Sequence, residues 1–275
     1  SGFLYEQHRD ACFASVGVKR IKGSKSLYIY KTADGKVAIV GVFVDDHIGC
    51  GHKNAVAEAF DRLGTVCTYK PATTDLASGS WGLILGVHVH LHVGPECVLI
   101  DMHQSEYAKH WTQKIEQASG MTLRACTTPG TAPYKPTEKQ SVQTPGEFQN
   151  TARMFIGASL HAARFTQPKL LQPVVSLSRR VTAWGRDEDR RLLHTYGFWK
   201  QHADEGIRLT VYYSDIGGLQ LDMYVDSDYA SCIFSMKSMT GCCAMLRGAR
   251  TKVLLDYASR SQASTSKSSG EAETV

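Results

Sequence analysis

The chain is 275 residues long, 43% hydrophobic and 21% charged, an ordinary globular composition with enough apolar material for one large core or two modest ones. Its formal charge of +5 permits contact with polyanions without demanding it, and the apolar run at Val37–Val44 falls far short of the roughly 20 residues that span a bilayer. The eight cysteines lack any CxxC spacing and no signal peptide opens the chain, so the sequence predicts a reducing, intracellular setting rather than a secreted one and assigns no membrane role.

The chain opens at Ser1-Gly2-Phe3-Leu4 as if inside a helix and stops at Val275 without a finishing element, so it reads as a piece of something longer. Two apolar runs, Leu27–Tyr30 and Lys36–Val44, flank Thr32-Ala33-Asp34-Gly35, and the Asp-Gly step predicts a hairpin. The second run meets Asp45-Asp46 and resumes at His47-Ile48-Gly49, which predicts another tight turn with two carboxylates at its tip. Helical periodicity follows over Ala55–Leu63.

Residues 81–102 carry strand signals around Gly94-Pro95, and Gln104–Ser119 reads as a helix with Tyr107, Ala108, Trp111 and Ile115 on one face. Residues 124–147 hold prolines at 129, 133, 136 and 145 and are composed like a connecting segment. The chain is then mostly helical to His202, with breaks expected at Pro168 and Pro173. Strands are predicted at Val211–Tyr213, Leu219–Val225, Cys242–Arg247 and Lys252–Tyr257, and Ser259–Gly270 is weakly patterned.

Phe43-Val44-Asp45-Asp46 is the sharpest local feature, because adjacent acids ending an apolar strand repel unless solvent or a cation compensates them. Carboxylates on a rigid hairpin suit the metal ions of phosphoryl transfer, which sit about 3.5–4 Å apart; a solvated Asp-Asp turn is the commonplace alternative. Val225-Asp226-Ser227-Asp228 again ends an apolar strand, with Glu271-Ala272-Glu273 about 45 residues on. Such acids converge on one metal in some folds and are surface acids in many others.

His88, His90 and His92 fall on one face of a strand, about 6.6 Å apart, too splayed for easy zinc ligation; an exposed strand face is the better account. Lys19-Arg20-Ile21-Lys22 and Lys25 form a basic cluster suited to phosphate, or equally a solvated edge. No P-loop, Rossmann glycine pattern or HExxH is present.

In order along most of its length, the chain resembles the Pol polyprotein of copia-type LTR retrotransposons. Gly17-Val18-Lys19-Arg20 resembles the family's Gly-Phe-x-Arg, and Val42-Phe43-Val44-Asp45-Asp46 its Tyr-Val-Asp-Asp polymerase motif with Phe43 for Tyr. Leu85-Gly86-Val87, Gln104–Tyr107 and Thr128-Pro129 resemble its Leu-Gly-Ile, Gln-x-x-Tyr and Thr-Pro segments. Gly157–Leu160, Arg164 to Pro168 and Val175–Arg179 are similar to Gly-Ser-Leu, Arg-Pro-Asp and Leu-Ser-Arg. Val225–Ala230, Ser238–Gly241 and Ser268–Glu273 resemble Ser-Asp-Ala-Asp-Trp-Ala, Ser-Thr-Ser-Gly and Ser-Ser-Thr-Glu-Ala-Glu.

The resemblance implies an α+β chain: the C-terminal part of a reverse transcriptase palm with β-hairpins and helices (1–123), a Pro-rich connecting segment (124–147), a helical thumb or connection (148–205) and the N-terminal part of a ribonuclease H-like mixed sheet (206–275). It implies metal-dependent phosphoryl transfer by an RNA-directed DNA polymerase with ribonuclease H. Asp45, Asp46, Asp226 and Glu273 would be catalytic and metal-ligating, and Glu271 is the less favoured acid; Phe43, Lys19, Arg20 and Lys22 would contact nucleic acid. The cofactor would be Mg2+ or Mn2+, and the partners an RNA template with its DNA primer and the rest of the Pol polyprotein. The location would be a cytoplasmic particle or the nucleus.

Departures matter as much. The family's upstream Leu-Asp-Val strand is missing and its later ribonuclease H acids would follow Val275, so neither site is expected to close on this chain, which would be inactive alone. A decayed remnant that at most binds nucleic acid is the alternative. Ser264–Lys267 replaces an apolar stretch, and Cys242-Cys243 an aromatic and a valine, which predicts a weakly formed final sheet.

Overall fold

The computed structural model describes residues 2–44, 46–68, 75–76, 79–131, 144–230 and 236–274. They form a mixed α+β structure in which every pairing between named strands is antiparallel. The chain divides into two compact units, Ser1–Thr74 and Asp75–Val275.

The first unit runs α1 (Gly2–Ser15), β1 (Lys19–Arg20), β2 (Leu27–Lys31), β3 (Val37–Phe43), β4 (Asp46–Gly51) and α2 (Lys53–Gly64), with the strands side by side in chain order. Alternation decides its packing. Tyr28, Tyr30, Ala38, Val40 and Val42 share one sheet face and are buried against Phe13 of α1 and Ala55, Ala59 and Leu63 of α2. Gly49 permits this approach, because a Cβ there would sit 2.5 Å from the Phe60 ring. The predicted Asp-Gly hairpin is the β2–β3 turn, with Gly35 at φ +82°.

The second unit opens with β5 (Trp81–Ile84), β6 (Val87–Val93), β7 (Cys97–His103) and α3 (Ser105–Ser119). Then come α4 (Ala152–Phe165), a 3-10 turn at Pro168–Leu170, α5 (Leu171–Ser178), α6 (Arg186–Gln201) and β8 (Gly206–Tyr212). After a second 3-10 segment, Tyr213–Gly218, follow β9 (Gln220–Ser227), β10 (Met239–Arg247), β11 (Lys252–Ser261) and α7 (Ser269–Thr274). The two sheets have orders β5-β6-β7-β8 and β11-β10-β9.

Helices α3 to α6 enclose the main core around Phe155, Tyr196, Trp199, Leu170 and Leu177. Its buried Asp189 carboxylate is paired three times over, accepting from the Trp184 indole N–H (2.7 Å) and from the backbone N–H groups of Glu147 (2.6 Å) and Phe148 (3.2 Å), whereas the Trp199 indole N–H is buried without a partner. Pro168 interrupts the helices as expected. Pro173, where a second break was expected, lies instead in the first turn of α5, where a missing N–H costs the helix no bond.

The compact units part at Thr74/Asp75 and not at the Pro-rich stretch. The reason is long-range pairing: β7 forms a full ladder with β8, and α3 packs on α4 and α6, which holds 75–123 to the chain after 147. Residues 132–143 of that stretch lie outside the described residues. Strand β8, expected to open the ribonuclease H-like sheet, belongs to the β5–β8 sheet instead. The sheet from 220 onward, expected to be mixed, is antiparallel among the described strands, as short connections require.

That last sheet is knitted at the point where polar residues were expected to weaken it. The Gln262 amide donates to Thr240 Oγ1 (3.0 Å) and to the Ala272 carbonyl (2.5 Å), while buried Ser266 donates to Gln262 Oε1 (3.2 Å). Among the described residues no helix is long and apolar enough to cross a membrane.

Candidate nucleic-acid interface

In the β3–β4 hairpin Phe43 is paired with Asp46, which closes the ladder. Asp46 therefore opens β4 rather than sharing the tip, and it is solvent-exposed. Asp45 lies outside the described residues. Val44 has φ +52°, a left-handed conformation that costs a β-branched residue about 1–3 kcal/mol and in folded proteins concentrates at functional sites. Phe43 and Val44 are 58% and 59% exposed, and the Tyr5 hydroxyl reaches the Val44 carbonyl at 3.4 Å.

This hairpin ends the sheet face that the helices leave half-exposed. Register places Leu27, Ile29, Ile39, Gly41 and Ile48 on that face, with Phe43 and Asp46 at one end. Lys19, opposite Ile29, projects to the same side. Arg20 projects to the helix side, where it pairs with Asp10 at 3.0 Å. Asp10 also accepts the Tyr28 hydroxyl (2.5 Å), to which Arg9 Nε donates (2.8 Å). Burial and the Asp10 hydrogen bond push the Tyr28 hydroxyl up to about 12. Of the basic cluster, Lys19 and Lys22 are thus exposed cations, while Arg20 fastens α1 to the sheet.

Asp226 is exposed near the end of β9, opposite Gly241, and Glu273 is exposed on α7, which packs beside β9. Glu271 caps its own helix by accepting the Lys267 N–H at 2.7 Å. Asp228 is a structural acid, accepting the Met239 N–H at 2.6 Å. Among the described residues no group of three or more His, Cys, Asp or Glu side chains gathers as a cation site.

The three alternating histidines do not converge. His90 stacks on Trp81 (4.9 Å between ring centroids, 25° between planes) and its Nε2 lies 3.0 Å from the Gly79 carbonyl; His88 stacks on His103 (5.0 Å, 10°). Burial, and then the His88 charge, hold the His103 imidazole below its ordinary value. Trp81 and His103 are functional candidates that reading along the sequence missed, because only strand register reveals them as His90 and His88 neighbours.

Comparison with models of protein families, with characterised proteins and with solved structures finds no match to this chain. The fold class is therefore an α+β chain of antiparallel sheets and helices, defined by its own geometry.

Proposed function

We propose that this chain is part of a copia-type retrotransposon Pol polyprotein, contributing to an RNA-directed DNA polymerase with ribonuclease H. The observation that carries the reading is the β3–β4 hairpin: exposed Asp46, second acid of the Asp45-Asp46 sequence, paired with Phe43 beside a strained Val44, on a sheet covered by helices on one face. The ordered motif series described above supports it.

The donor chemistry fits magnesium or manganese, since one or two carboxylates plus substrate phosphate oxygens make a usual Mg2+ site and Asp46 presents its carboxylate to solvent. In this reading Asp45 and Asp46 would hold that ion, whose chemistry is to neutralise charge on the transferring phosphate. The exposed sheet face and Lys19 would orient an RNA template and DNA primer, with Phe43 at the boundary between paired bases and metal ligands. Asp226 and Glu273 would act likewise for ribonuclease H, with further acids supplied by the rest of the Pol polyprotein.

The second reading is an inactive remnant. It is favoured by Leu221, Met223 and Val225, which stand 60–63% exposed on β9 beside Asp226, as in a sheet left uncovered.

Primer extension on an RNA template with Mg2+ tests both, using this chain and a chain lengthened by its genomic flanks. Incorporation by the lengthened chain that Asp45→Asn abolishes supports the polymerase reading; incorporation unchanged by Asp45→Asn overturns the assignment. Silence from both folded chains favours the remnant.

A further inference from the structure

One face of the β5–β8 sheet carries a row of ring systems that no step of the polymerase reading uses. Register aligns Trp81, His90, Asp101 and Arg208 directly across four strands, and Leu83, His88 and His103 in the next row on the same face. The rings touch in sequence. Trp81 stacks on His90, meets His103 edge-on (4.9 Å, 70°), and His103 lies parallel to His88. Trp81 is nevertheless 50% exposed, in contrast to the fully buried Trp199 of the helical core. At the far end of the row the Arg208 guanidinium is held flat by two bonds to Asp101 (2.6 and 3.0 Å) while its side chain remains 66% exposed.

An open tryptophan braced from one side by imidazoles is poorly explained by packing alone, since half its apolar surface stays in water. It is well suited to receive another flat ring. Neighbouring strands are about 4.8 Å apart and neighbours on one face about 6.6 Å apart, so the two rows offer adjacent ring surfaces on which unstacked bases can rest. A duplex hides its base faces, whereas a single strand presents them, and an exposed guanidinium supplies a phosphate contact.

We propose that the Trp81–His90–His103–His88 face binds single-stranded nucleic acid by base stacking, with Arg208 as its phosphate contact. The inference stands apart from the polymerase reading, because binding and primer extension are separate readouts.

The test is fluorescence anisotropy of a short labelled oligothymidylate, its oligouridylate counterpart and a duplex, titrated with the full 275-residue chain. Single strands are expected to bind in preference to duplex, with Trp81→Phe close to wild type and Trp81→Ala weaker by roughly tenfold, the size of one lost stacking contact. Trp81→Leu, which keeps the apolar bulk and guards against misfolding of the alanine variant, is expected to lose as much as Trp81→Ala, with the fold checked by circular dichroism. Wild-type affinity in Trp81→Leu overturns the stacking site, as does a preference for duplex. So does loss of binding in a Lys19→Ala, Lys22→Ala double variant while the Trp81 variants bind normally. The relative affinity for the two oligomers separates an RNA site from a DNA site.

Discussion

Phe43 and Asp46 face each other as the last pair of the β3–β4 ladder, and Val44 leaves that ladder directly after Phe43. Tight hairpin turns favour glycine or asparagine where φ is positive, and here valine holds such a position, Val44 at φ +52°. Val44→Gly should therefore relieve strain that outweighs the entropy cost of glycine. A stabilisation of about 1 kcal/mol is expected in urea unfolding, and a lowered midpoint would contradict the strain argument.

Asp189 is the anchor between α6 and the segment entering α4, with three donors converging on its buried carboxylate. Asp189→Ala strands those donors and should cost about 3 kcal/mol in denaturant titrations. Asp189→Asn keeps the shape but loses the charge and an acceptor, so a smaller loss is expected. Equal stability of all three proteins would remove the anchor from the account.

Burial separates the two ends of the second unit. Phe155 is fully enclosed by the helical core and makes edge contacts with Trp111, Phe148 and Tyr196, so Phe155→Ala should cost about 3–5 kcal/mol. Leu221 is 62% exposed on β9, and Leu221→Ala should change stability by less than about 0.5 kcal/mol. A large loss at Leu221 would show that something covers that face in solution.

Acid should weaken the second unit before its carboxylates titrate. His103 and His161 are both held below the ordinary value of 6.5, chiefly by burial, so the unfolded chain takes up protons that the folded chain refuses. Stability is then full above about pH 6.5 and falls as pH drops toward the depressed folded values. Thermal unfolding from pH 7.5 to 5 should show this slope, reduced in His161→Gln. A slope untouched by that substitution would place the proton uptake elsewhere. Glu116 and Glu205, whose carboxylates Lys200 and His202 hold below the usual range, act in the same direction at lower pH.

Much of the local architecture is legible along the chain. The Asp34-Gly35 hairpin, the periodicity of α2 and α3, the helical stretch after Phe148 and the strands after Leu219 all follow from period and turn chemistry, which act over a few residues. The acidic pair at 45–46 is equally visible, though the strand position of Asp46 is not: the ladder extends to Asp46 because that residue finds Phe43 opposite it.

Tertiary structure decided what depends on distant partners. Strand β8 joins β7 across some hundred residues, with Asp101 and Arg208 separated by 107 positions, and nothing in either segment names its neighbour. That ladder holds residues 75–123 to the later chain, while the β5–β6 and β6–β7 ladders set Trp81 beside His90 and His88 beside His103, so that two of the three alternating histidines lie in stacked ring pairs. Sequence alone determined which residues could form strands, turns and helical faces, because those preferences are local. Which strands share a sheet, and so which side chains meet, is settled by the apolar burial and backbone pairing gained only when the whole unit closes.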